Sequence, residues 1–296
     1  MRKIIEGDIP FLGLKTHYRM VVGTDSSKRP LILLHGGPGS SHNSLEVLDP
    51  IADQGRTLVY YDQIGCGLSP APDDRTDLFN KETWCKELDN LREYLKLDKV
   101  HLLGHSWGGM LLITYLSDCR PQGVLSAVLS STLASTSLWA QETHRLVKLL
   151  PARYQEAIAK AEQSGNWTDP EYLEANTAFM HAHVGGPWGP KAPECLKRPR
   201  IGGKVAYETA WGPNEYTPLG NLKDWEYLDK VKSWTTPTLI TDGAEDESTP
   251  YMNMVLHRSI PHSEWQIFQF SRHMSYYEEN AKYIELVENF LERNDR

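Results

Sequence analysis

The chain has 296 residues, enough for one large domain or for a domain carrying an insertion, and a formal charge of −8 at pH 7. That acidic balance excludes a nucleic-acid surface and an anionic membrane surface as partners, because both require an excess of Lys and Arg. Met1–Asp8 has no apolar h-region, no apolar run approaches a membrane span, and Cys66, Cys85, Cys119 and Cys195 form no Cys-x-x-Cys pair. The expectation is a cytoplasmic protein with free thiols and neither metal nor cofactor.

Residues 16–22 read as an antiparallel strand, and Leu31-Ile32-Leu33-Leu34 as a strand buried on both faces. The second runs into His35-Gly36-Gly37-Pro38-Gly39, a turn that neither helix nor strand can contain. An amphipathic helix is expected over 44–54 and a buried strand over 57–62, followed by the Gly65-Cys66-Gly67 loop. Trp84, Leu88, Leu91 and Leu95 mark a helix over 82–96. The apolar run Val100–Leu103 then enters Gly104-His105-Ser106-Trp107-Gly108, and an apolar helical run from Met110 to Leu116 follows at once. Another strand pattern covers 124–129. Strands alternating with helices at this rhythm imply an α/β protein with a mostly parallel sheet.

The rhythm breaks between 133 and 231. Helical patterns appear at 141–150, 152–163 and 171–183, and a Pro/Gly/Trp-rich stretch fills 185–218. Its basic run, Lys197-Arg198-Pro199-Arg200, reads as a solvated loop. Strand patterns return at 238–242 and 265–270, and a last amphipathic helix is expected over 276–291. The expected organisation is therefore a core of residues 1–132 and 232–296 with a helical cap, 133–231, inserted over the site.

Strand, Gly-x-Ser-x-Gly and helix in succession describe a sharp turn with Ser106 at its apex. A side chain at Gly104 or Gly108 would collide with neighbouring backbone there. A serine hydroxyl becomes a nucleophile only when a base takes its proton and a third group orients that base. In this architecture the partners follow in the order Ser, acid, His. Asp246, in the loop after the 238–242 strand, is preferred to Asp242 at the strand end. His273, after the last strand, is preferred to His257 and His262. His105 is read as structural, its ring turned elsewhere by the elbow. Acyl transfer develops an oxyanion, for which the Trp107 N–H and the glycine loop, through Gly37, would supply the two donors.

These residues resemble the proline iminopeptidases, a family of α/β-hydrolase serine peptidases, over nearly the whole chain. The resemblance rests on His-Gly-Gly-Pro-Gly at 35–39, Tyr61-Asp62-Gln63-Ile64-Gly65-Cys66-Gly67-Leu68-Ser69, Gly104–Gly109, and the Asp246 and His273 loops. Asp169–Tyr172, Gly212–Tyr216 and Lys223-Asp224-Trp225 look like the caps of tricorn-interacting aminopeptidases. The resemblance implies an α/β-hydrolase fold, the triad Ser106, Asp246 and His273, and Gly37 and Trp107 at the oxyanion. It also implies Glu215 and Glu247 as holders of the substrate's cationic amine, with Glu174 a weaker third candidate. The implied activity is release of an N-terminal residue, preferentially proline, from a small peptide. An amino-acid amide or ester hydrolase would use the same parts.

Overall fold

The computed structural model describes residues 2–295. Eight strands form one sheet: β1 (Lys3–Phe11), β2 (Leu14–Val22), β3 (Leu31–Leu34), β4 (Leu58–Tyr61), β5 (Val100–His105), β6 (Val124–Ser130), β7 (Thr238–Gly243) and β8 (Glu264–Phe268), in the spatial order 1-2-4-3-5-6-7-8. The β1–β2 and β2–β4 pairs are antiparallel, and every pair from β4 across to β8 is parallel. This is the α/β-hydrolase arrangement that the sequence implies.

Continuous apolar strands result because both faces are covered. Ile32 and Leu34 pack in one cluster while Leu31 and Leu33 pack in another, and Val59 and Tyr61 part from Leu58 and Tyr60 in the same way. Helices α1 (Lys81–Tyr94) and α2 (Trp107–Thr114) follow β4 and β5. Between β6 and β7 lie α3 (Thr136–Val147), α4 (Ala152–Ser164), α5 (Pro170–His183), α6 (Lys204–Ala210) and α7 (Leu228–Val231). Leu146, Ile158, Tyr172, Phe179 and Tyr216 give this inserted helical region a small core of its own. Its Trp139, Trp211 and Trp225 instead join the main cluster, so the insertion is rooted in the sheet's own core. After β7 come α8 (Pro250–Ser259), α9 (Ser275–Glu278) and α10 (Asn280–Arg293).

One strand has no counterpart in the sequence reading, and two local readings are corrected. β1 gave no sequence signal because it is an edge strand on which Ile9 and Phe11 alone are buried. The helix expected over 44–54 is a 3-10 stretch, His42–Gln54, since Pro50 inside it has no N–H to give an α-helical ladder. The single helix expected over 276–291 is split at Glu279, whose carboxylate accepts from the Phe270 N–H and the Ser271 hydroxyl beside the His273 loop.

The elbow depends on two close approaches. A Cβ on Gly104 would stand 2.3 Å from the Gly108 carbonyl oxygen, and one on Gly108 would stand 2.1 Å from that of Leu34. β3, β5 and α2 thus meet backbone to backbone. Gly108→Ala is expected to cost about 3 kcal/mol or more, because backbone rather than a side chain would have to yield. Urea unfolding of the variant measures it.

Candidate active site

Ser106 occupies φ 55° and ψ −122° between β5 and α2, a conformation an L-residue holds only when its surroundings impose it. The surroundings are explicit. Its N–H donates to the Ser130 carbonyl at 2.9 Å, and its own carbonyl accepts from the Gly109 N–H at 2.8 Å and the Thr132 hydroxyl at 2.7 Å.

His273 lies in the loop between β8 and α9, buried, with Nδ1 2.7 Å from Asp246 Oδ1. The same oxygen accepts from the Ser248 N–H at 2.8 Å, and Oδ2 accepts from the Gly243 N–H at 3.3 Å. An acceptor at Nδ1 places the ring proton there and leaves Nε2 as the basic nitrogen. Asp242 is not the partner: it accepts from the Trp265 indole, and burial pushes its pKa up to about 8. His257 is engaged by Ser263 at 2.8 Å, and His262 is exposed.

The His105 ring does not turn away as expected. Its centroid is 4.7 Å from that of His273 and 4.8 Å from that of Tyr276, so it braces the His273 imidazole. Burial, and then the neighbouring His273, hold its pKa well below the usual histidine range. A neutral ring supports His273 without a second positive charge.

Ser106 and His273 line a cavity of about 280 Å³ together with Gly36, Gly37, Glu215 and Glu247. The glycine loop lies directly against the serine: a Cβ on Gly36 would come 3.1 Å from Ser106 Cβ. The loop is wired by a residue to which the sequence assigned no role. Gln63 donates from its backbone N–H to His35 Nε2 at 3.0 Å and from its side-chain amide to the His35 carbonyl at 3.0 Å. Its Oε1 accepts the Trp107 indole N–H at 2.7 Å. His35 completes the chain by donating from Nδ1 to the Gly36 carbonyl at 2.8 Å, and burial lowers its pKa to about 4, so it stays neutral. Trp107 begins α2, so its backbone N–H has no intrahelical acceptor. The signal for Gln63 was present, since Tyr61-Asp62-Gln63 carries the family resemblance, but nothing local shows that its amide spans two loops.

Two carboxyls line the same cavity. Glu247 is buried, its Oε1 lies 3.6 Å from His273 Nε2, and its Oε2 has no partner among the described residues. Glu215, in the loop after α6, lines the cavity and so keeps some access to solvent, although protein surrounds it. Burial raises the pKa of both. Glu247 is raised further by Glu215 and Asp246, while His273, the Tyr207 hydroxyl and the charge of Arg200 temper the rise at Glu215. Among the described residues no lysine or arginine pairs with either. Glu174 is elsewhere, on the surface with Arg153 at 2.9 Å. The basic run is also not a free loop: Arg198 pairs with Glu46 and Glu194, and Arg198, Pro199 and Arg200 line the cavity.

The family model described as the alpha/beta hydrolase fold matches residues 29–280. A proline iminopeptidase of Lactobacillus helveticus is 52% identical over 297 residues, covering 99% of each chain. The crystal structure of VinJ superimposes with a TM-score of 0.90 at 32% identity, covering 98% of this chain and 99% of that one. The proline iminopeptidase of Mycobacterium smegmatis gives 0.87 at 30% identity, with the same coverage. The chain belongs to the proline iminopeptidase family of α/β hydrolases. It is a serine hydrolase of that type, as the resemblance of its glycine loop and elbow implies.

The two raised carboxyls carry a stability cost that can be measured. A carboxyl whose folded pKa is raised binds more protons folded than unfolded, so its protonated form favours the fold at low pH. That contribution is lost as pH rises from the unfolded value, about 4.3, through the folded one. Glu247→Gln removes the ionisable group and keeps its shape. The variant is expected to melt above the parent at pH 8, with the gap closing towards pH 5, in thermal unfolding followed across that range.

Proposed function

We propose that this member of the proline iminopeptidase family is a serine aminopeptidase that releases an N-terminal residue, preferentially proline, from short peptides through an acyl-enzyme on Ser106. The observation that carries this reading is the pair Glu215 and Glu247, with no lysine or arginine ion-paired to either among the described residues, beside the base of a Ser–His–Asp array. A protonated amine is the ligand such a pair lacks. A unit-charge pair near 4 Å is worth about 4 kcal/mol at an effective dielectric of 20. With the amine held there, the carbonyl of the first residue is the one presented to Ser106, which makes the enzyme an exopeptidase. Val184, Leu196, Met274 and Tyr276 on the cavity wall supply apolar surface suited to a pyrrolidine ring.

In the proposed reaction His273 Nε2 takes the proton from Ser106 Oγ as that oxygen attacks the carbonyl carbon. Asp246 stabilises the imidazolium that forms. The N–H groups of Trp107 and Gly37 receive the oxyanion. Collapse of the tetrahedral adduct breaks the peptide bond, and His273 gives its proton to the leaving amine. Water, deprotonated by the same base, then releases the free residue and restores the serine. Residues 133–231 act as the cap that closes the amine end, on the core of 1–132 and 232–296. Four cysteines without disulfides support a reducing, cytoplasmic setting.

A panel of aminoacyl-arylamides, free and N-acetylated, tests this reading, with proline dipeptides and amino-acid amides alongside. Free prolyl substrates should turn over, and acetylation should lower kcat/KM roughly a thousandfold through loss of the amine's charge. Equal cleavage of acetylated compounds overturns the assignment of Glu215 and Glu247. A preference for simple amides over peptides makes the protein an amidase with the same triad. Ser106→Ala should lose on the order of 10⁴–10⁶ in kcat. Gln63→Ala should lower kcat about tenfold with KM little changed, because it loosens oxyanion donors that act in the transition state and does not delete one.

A further inference from the structure

The cavity that holds the acidic pair also has a basic wall. Of its two arginines, Arg198 is spoken for: Glu46 and Glu194 both pair with it. Arg200 is different. Its Nε donates to the Gly39 carbonyl at 3.0 Å, its guanidinium stands 5.8 Å over the Tyr207 ring, and no carboxylate among the described residues pairs with it. The backbone that follows it is fixed, since the Ile201 carbonyl accepts from the Gly67 N–H at 3.0 Å and Gly202 bridges to Cys66. Arg200 is thus a pre-positioned cation with free Nη donors at the mouth of an acidic active site.

Tyr207 relates the two charged ends. Its ring carries Arg200 and its hydroxyl faces Glu215. Arg200 is near enough to Glu215 to lower its pKa, so a ligand reaching from the acidic pair to Arg200 would be short. We propose that Arg200 is a specificity residue that receives the C-terminal carboxylate of a di- or tripeptide, so that the site reads both ends of a zwitterionic substrate. The idea rests on the aminopeptidase reading. It adds that the leaving group is recognised by its free carboxylate. Charge makes the point sharper: in a chain of net charge −8, with two acids in the cavity, a free carboxylate is repelled unless a local cation receives it.

The test compares a proline dipeptide with its C-terminal amide, with a prolyl arylamide as reference. The readout is the ratio of kcat/KM for free acid over amide, which cancels any effect of a substitution on the triad. Charge-assisted hydrogen bonds at a partly exposed site are expected to give the parent enzyme a ratio of about five to ten, carried by KM. Raising ionic strength should lower it. Arg200→Gln should bring the ratio to one or below, and Arg200→Lys should restore part of it. A parent ratio of one or less, or a ratio unchanged in Arg200→Gln, overturns the proposal while leaving the aminopeptidase intact. If Arg200→Gln does not fold, the parent ratio and its salt dependence decide. Turnover of none of the three substrates overturns the aminopeptidase reading, and this subsite with it.

Discussion

Negative charge that the chain leaves uncompensated governs this site. Glu247 is buried with one oxygen unpartnered, Glu215 faces the same cavity, and Asp246 adjoins it in sequence. Such carboxyls hold their protons or await a cation. The nearest group able to supply one is His273, with Nε2 3.6 Å from Glu247 Oε1, but that nitrogen is the one needed as base. The substrate amine proposed above would meet Glu247 and leave Nε2 to the serine.

The rest of the fold serves to bring short backbone segments together at the carboxyl ends of parallel strands. β3 delivers the glycine loop, β4 delivers Gln63, β5 delivers Ser106, β7 delivers Asp246 and β8 delivers His273. Gly108 against the Leu34 carbonyl locks the first and third of these, and Gln63 ties both through His35 and Trp107. The glycine loop and the elbow are therefore set by main-chain contact and one buried amide. Rigidity of that kind suits electrostatic stabilisation, which loses its value if donors must reorganise during the reaction.

What could be read in the sequence follows the range of the interactions involved. Buried parallel strands announce themselves as continuous apolar runs, and Gly104 and Gly108 announce the elbow, because each is a local necessity. The pairing of Asp246 with His273 was legible through their order behind successive strands. Edge strand β1 was not, since most of its side chains face solvent and obey no apolar pattern. The ring of His105 was misread because its place is set by Tyr276 and His273, far along the chain. Arg200 and Gln63 belong to the same class. Their partners lie on other loops, and a charge run or a lone Gln looks the same whether it is solvated or wired into a site.

The inserted helices are bonded to the loops that carry Glu247 and His273. The last residue of α5, His183, offers its carbonyl to the N–H of Glu247 and the N–H of His273, each at 3.2 Å. Arg272 reaches the same helix end through the carbonyls of His181, at 2.5 Å, and Gly186, at 3.0 Å. A helix C-terminus has carbonyls to spare, and here they hold the acid loop and the base loop in register. Lifting α5 would leave two catalytic-loop N–H groups unsatisfied, at about 1–3 kcal/mol each if they stayed buried. The cavity therefore cannot be opened cheaply from that side. Trp188 and the Arg198–Arg200 segment line the cavity as well, and surface ion pairs and one carbonyl contact join that segment to its neighbours.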